Sequence, residues 1–149
     1  MHFRAQLIGV ARSAVAAAAY RHRTSMFDQA LDRIWSYKPD PALVFSALAM
    51  PAGAPQWLTS LVSGRSIAEA SANVWNAASA AEKRYDGQVA REFVIALPIE
   101  LTRAQNIALM QNYVSEFTER GFVVDWVVHD KPGNPHVHLM HTMRSGSTC

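Results

Sequence analysis

The stretch His129-Asp130-Lys131-Pro132-Gly133-Asn134-Pro135-His136-Val137-His138 decides how this chain is read. Its proline, glycine and asparagine residues mark a turn, so the apolar runs on either side, Phe122 to His129 and His136 to Met143, read as two strands. His136 and His138 are two apart on a strand, and their side chains leave from one face of the sheet. If Asp130 to Pro135 close a regular six-residue hairpin loop, His129 stands opposite His136, and opposed residues of an antiparallel pair share a face. Three imidazoles then converge. The same register sends Phe122, Val124, Trp126, Val128, Val137 and Leu139 to the other face, which helices must cover. His141 falls on that apolar face and reads as structural.

A lone strand histidine usually pairs with a carboxylate or with water. Three that converge, among six in the whole chain, point instead to a divalent metal with coordination positions left for a substrate. Imidazole binds zinc, manganese, iron, nickel and copper alike, so the ligands do not name the ion. Asp125 shares the histidine face farther along its strand, and reads as a supporting or solvated group rather than a ligand.

Outward from the hairpin, Thr102 caps a helix to about Arg120, with Ile107, Met110, Val114 and Phe117 as an apolar stripe and Gly121 as its stop. Before it, Arg91 to Leu97 is a strand ended by Pro98. Ser66 caps a helix to about Tyr85, preceded by a short helix through Trp57 and Leu61, with Trp57 and Trp75 expected in the core. Arg33 to Tyr37 and Leu43 to Leu48 are two short strands around Lys38-Pro39-Asp40-Pro41. Ser13 caps an alanine-rich helix with Tyr20 on its last turns, and His2 to Ile8 is a strand closed by Gly9. These elements predict an α+β domain, a mostly antiparallel sheet with helices packed on one face.

The chain has 149 residues, half of them apolar, enough for one domain with a real core. The net charge of +2 is unevenly spread. Residues 1 to 38 hold six Lys/Arg against Asp28 and Asp32, and the rest is net negative by two. A basic segment on a nearly neutral protein suits a phosphate-bearing partner. The single cysteine, Cys149, rules out a disulfide framework. No apolar run approaches the ~20 residues of a membrane span, so a soluble, unprocessed, cytoplasmic protein is expected.

Tyr20 is followed at once by Arg21, His22 and Arg23. A phenol has a pKa near ~10, so it attacks phosphorus at neutral pH only with a base to take its proton or with positive charge nearby. Arg21, Arg23 and a metal supply that charge, and Arg12, Arg21 and Arg23 are the candidates to hold flanking phosphates. Glu92, at the start of its strand, either orients a ligand histidine or takes the tyrosine proton, or it is a plain ion-pair partner of Arg91 or Arg4.

Taken together, Ser13 to Arg21, Ala90 to Gln105, Asp125-Trp-Val-Val-His129 and Gly133-Asn-Pro-His136-Val-His138-Leu-Met140 resemble the MobA/MobL family of conjugative relaxases. Within it they are most similar to the N-terminal nicking domain of TraA-type transfer proteins. The resemblance runs over nearly the whole chain. It implies a histidine-hydrophobe-histidine endonuclease, in which a tyrosine attacks a metal-held phosphate at a plasmid transfer origin, leaving a 5′-phosphotyrosyl bond and a free 3′-hydroxyl. By position Tyr20 matches the nucleophile, His129, His136 and His138 the metal ligands, and Glu92 an acidic position near the site. The cofactor implied is a divalent cation, magnesium or manganese ahead of zinc, nickel or copper. The partners implied are single-stranded DNA at the origin, accessory relaxosome proteins and type IV secretion coupling proteins.

Family members continue well past the arginine after the histidine strand, whereas here Arg144 is followed by Ser-Gly-Ser-Thr-Cys149. One nicking domain over residues 1–149, incomplete at its C-terminus, is therefore expected. Two other readings stay open: a DNA-binding or regulatory remnant that no longer cuts, and a rolling-circle replication initiator. The usual reliance of such initiators on two histidines plus another ligand argues against the second.

Overall fold

A computed structural model describes residues 3–9, 12–82 and 87–143. Its centre is a five-stranded antiparallel sheet in the order β1 (Phe3–Gly9), β5 (Gln88–Ala96), β7 (Asn134–Thr142), β6 (Val124–Lys131), β4 (Leu43–Ala49). The β6–β7 hairpin is tighter than the expected six-residue loop. Its strands pair out to Lys131 and Asn134, leaving Pro132-Gly133 at the tip with Gly133 at φ +71°, a left-handed conformation that glycine adopts without penalty.

Helices cover both faces, which corrects the one-face layering within the expected α+β class. On the first face α4 (Arg103–Glu119) packs Met110 and Val114 against Phe93, Ile95, Val124, Trp126, Val128, Val137 and Leu139. On the second, α1 (Ala14–His22) and α3 (Ile67–Ala81) pack Val15, Ala18, Val74 and Trp75 against Ala90 and Met140. The reason lies in β6, where Val124 to His129 are buried without a break. A strand buried on both sides belongs to a middle layer.

The helices begin where side chains satisfy their first amide groups. Ser13 accepts the Ala16 N–H at 2.9 Å, Ser66 accepts that of Glu69 at 3.1 Å, and Thr102 and Gln105 form a reciprocal capping box. Gly121, at φ +92°, follows α4. The expected helix end near Tyr85 and strand start at His2 lie outside the described residues.

Arg33 to Tyr37 does not pair with the strand after it. Instead β3 (Arg33–Ser36) joins β2 (Ser25–Asp28), a strand too short and polar to stand out in sequence, in a separate two-stranded ribbon. This ribbon leans on α1 and α3, where Asn76 accepts the Gln29 N–H and donates to the Phe27 carbonyl, both at 2.8 Å. Trp75 is fully buried as expected, but Trp57 is 40% exposed. Its helix α2 (Gln56–Thr59) is a single turn that sends Leu58 inward instead. Among the described residues no helix is long and apolar enough to cross a membrane.

Candidate functional site

The hairpin register places His129 opposite His136 and His138 opposite Val127, so the three histidines share the face that α1 and α3 cover. Their ring centroids lie 5.5 Å (His129 to His136), 5.2 Å (His129 to His138) and 5.0 Å (His136 to His138) apart. Two hydrogen bonds fix tautomers, because a carbonyl oxygen only accepts. His136 Nδ1–H donates to the Asn134 carbonyl at 2.9 Å, which leaves Nε2 as its lone-pair nitrogen. His129 Nε2–H donates to the Arg21 carbonyl at 3.2 Å, which leaves Nδ1. His138 Nδ1 is buried without a partner among the described residues.

Electrostatics keeps two of these rings neutral. Burial lowers the His129 pKa, and the charges of His136 and Arg23 act in the same direction against the Arg21 carbonyl bond. His138 is pushed down to about 2, by burial first and then by Arg21, His136, His129 and Arg23. Neutral imidazole is the form that ligates a metal. Among the described residues no three His, Cys, Asp or Glu form a ready ligand set. The three rings carry donor nitrogens of the kind that ligates divalent cations.

Helix α1 delivers the second half of the site. Tyr20, 39% exposed, meets Tyr37 edge-on at 5.3 Å, and the guanidinium groups of Arg21 and Arg23 lie 5.1 and 4.3 Å from its ring. Arg21 links three parts of the site. Its carbonyl accepts from His129, its guanidinium pairs with Glu92 on β5, and it directly follows Tyr20. Glu92 is 1% exposed and pairs with Arg21, so its charge is buried and not at the surface. Tyr20, Glu92, Arg12 and Arg21 line one groove, and Arg12 lies at its exposed edge.

Arg23 ends α1 at φ +52°, donating its backbone N–H to the Ala19 and Tyr20 carbonyls. Glycine usually fills such a left-handed position. An arginine there accepts strain of about 1–3 kcal/mol, and its guanidinium stacks on Tyr20.

A buried polar cluster lies behind the site, and sequence reading did not find it. Asp125, 3% exposed, accepts from His22 Nε2 at 2.6 Å, Ser71 Oγ at 2.5 Å and Trp75 Nε1 at 2.8 Å. It is thereby neither ligand nor solvated group, but the anchor that joins α1, α3 and β6. Burial opposes the Asp125 charge, yet His22 and the three hydrogen bonds prevail and lower its pKa. Burial likewise opposes the His22 cation, and Asp125 prevails to raise its pKa. One signal was available: Ser71 and Trp75 are four apart, on one face of a helix otherwise apolar there. On the opposite face of the sheet His141 is buried among Phe93, Phe117 and Phe122, as expected of a structural histidine.

The MobA/MobL family pattern matches residues 12–147. A probable conjugal transfer protein TraA of Sinorhizobium fredii is 46% identical over 146 residues, and a conjugal transfer protein TraA of Rhizobium radiobacter 44% over 146. Each alignment covers 96% of this chain and 13% of the relative, so the chain spans a small part of the length of these proteins. A mobilization protein MobL of Acidithiobacillus ferridurans is 32% identical over 79% of the chain and 28% of its own length. A solved structure described as the molecular basis of vancomycin resistance transfer in Staphylococcus aureus superposes with a TM-score of 0.80. It is 26% identical and covers 97% of this chain and 70% of its own.

Proposed function

Because the chain belongs to the MobA/MobL family, we propose that it nicks one DNA strand at a plasmid transfer origin and holds the cut end as a tyrosyl ester. The observation that carries this reading is the meeting of two elements: a helix end bearing an exposed tyrosine, and a hairpin bearing three convergent imidazoles, joined by Arg21.

The Tyr20 oxygen attacks the scissile phosphorus, the bond from phosphorus to the 3′ oxygen breaks, and a 3′-hydroxyl leaves. A phosphotyrosyl bond remains on the 5′ side and conserves the energy for rejoining. Arg21 and Arg23 lie beside the ring, where their charge can meet that of the phosphate, and Glu92 in the same groove is the carboxylate at hand for the phenol proton. His129, His136 and His138 would hold a divalent cation, magnesium or manganese ahead of softer metals, whose chemistry is to draw charge from the phosphate oxygens. Arg12, Arg21 and Arg23 hold neighbouring phosphates of the single strand. Accessory relaxosome and secretion coupling proteins are the partners this role requires, in a cytoplasmic setting.

The test incubates the chain with a single strand carrying the transfer origin and manganese. A denaturant-resistant adduct is expected, absent in Tyr20→Phe and with chelator. Adduct from Tyr20→Phe removes the nucleophile assignment, and binding without adduct in the parent returns the reading of a non-cutting DNA-binding remnant.

A further inference from the structure

The strand-transfer reading uses Tyr20 and Arg21 but leaves unexplained the groove they border. This groove, about 440 Å³, lies between α1 and the β2–β3 ribbon, within the ~300–1,000 Å³ typical of small-ligand sites. From the α1 side it is lined by Arg12, Tyr20 and Arg21, and from the ribbon side by Leu31, Trp35 and Tyr37. The one carboxylate among the lining residues, Glu92, is paired with Arg21, so Arg12 leaves the groove net positive.

Its aromatic wall is braced in advance. Trp35 Nε1–H donates to Asp28 at 3.0 Å, and the Arg33 guanidinium sits over the indole at 3.8 Å. Asp28, buried, also accepts the Ser13 hydroxyl at 2.5 Å, which ties the ribbon to the start of α1. The Asn76 bonds hold β2 from the other side. The ribbon is thus held beside α1, and the space between them stays open. Leu31 remains 56% exposed at its edge. An aromatic wall facing guanidinium groups is the chemistry that accepts a base on its π face and a phosphate at its rim.

We propose that this groove is a base-stacking subsite for the DNA strand. A base adjoining the phosphate at Tyr20 stacks on Trp35 and Tyr37, and its backbone phosphate lies against Arg12. The inference rests on the strand-transfer reading for where the phosphate sits. Stacking of this kind tolerates any base, so the subsite grips the strand and does not read its sequence.

The test compares binding of oligothymidylate with that of an abasic strand of equal length and charge, without cleavage. The parent is expected to prefer oligothymidylate. Trp35→Ala lowers that affinity by about 5- to 150-fold and leaves the abasic strand unchanged, while Trp35→Phe stays near the parent. A parent without preference, or a folded Trp35→Ala that keeps it, overturns the subsite. Should Trp35→Ala fail to fold, irradiating the parent with an iodouracil-substituted strand decides: attachment within residues 31–37 supports the subsite, and attachment elsewhere alone overturns it. Neither readout needs Tyr20 to cut, so failure here and failure of the adduct assay are separate results.

Discussion

The two faces of the central sheet are built on different terms. Beneath α4 the contacts are apolar side chains, one histidine enclosed by phenylalanines, and Asn106, whose amide donates to the Pro98 carbonyl. Beneath α1 and α3 a comparable apolar core surrounds Glu92, Asp125, His22 and His129, all buried. An apolar face gains from burial alone, whereas buried polar groups cost free energy unless each finds its partner. Under the proposed function, polar groups of this kind beside an exposed tyrosine make the second face the chemical one.

The largest break in the comparison should come from the apolar face. Trp126, packed on Phe45 at 4.9 Å and 2% exposed, should cost about 3–5 kcal/mol when changed to alanine. Urea unfolding reads the loss. The folded fraction should form adduct at the parental rate; a slowed rate would mean that the faces are not separable.

The His22–Asp125 pair should give a smaller, pH-dependent effect. His22 has its pKa raised above 6.5, so its contribution is complete below that value and declines as pH rises through the folded pKa. Asp125 has its pKa lowered below 3.8, so its contribution is complete above that value and declines as pH falls through the folded pKa. The stability gap between parent and His22→Asn should therefore be widest between about pH 4 and 6.5 and narrow at alkaline pH. A gap that widens from pH ~7 upward contradicts the assignment.

Arg23→Gly should have the smallest effect on stability and the opposite sign. Relief of the left-handed strain should offset the lost ring contact and leave the variant up to about 1 kcal/mol more stable. Adduct formation should nevertheless slow, because Tyr20 loses a cation at 4.3 Å. Faster adduct formation in this variant would show that Arg23 does not serve the tyrosine.

Local pattern carried much of this to a sequence reader. The hairpin register, the caps at Ser13, Ser66 and Thr102 and the isolation of His141 all follow from spacing within a few residues. Long-range pairing was not legible. Asp125 shares the histidine face, but its partners are 103, 50 and 54 residues away, and no periodicity links them. Ribbon β2–β3 was missed because a four-residue strand carries too little alternation. The buried carboxylate of Glu92 pairs with Arg21, 71 residues distant.

Metal titration of four proteins bears most directly on the claim that one face of one hairpin is the chemical one. The parent and His141→Leu should each bind manganese at a single saturable site, whereas His136→Ala and His138→Ala should lose it while remaining folded. Equal manganese binding by His138→Ala and the parent would contradict the account.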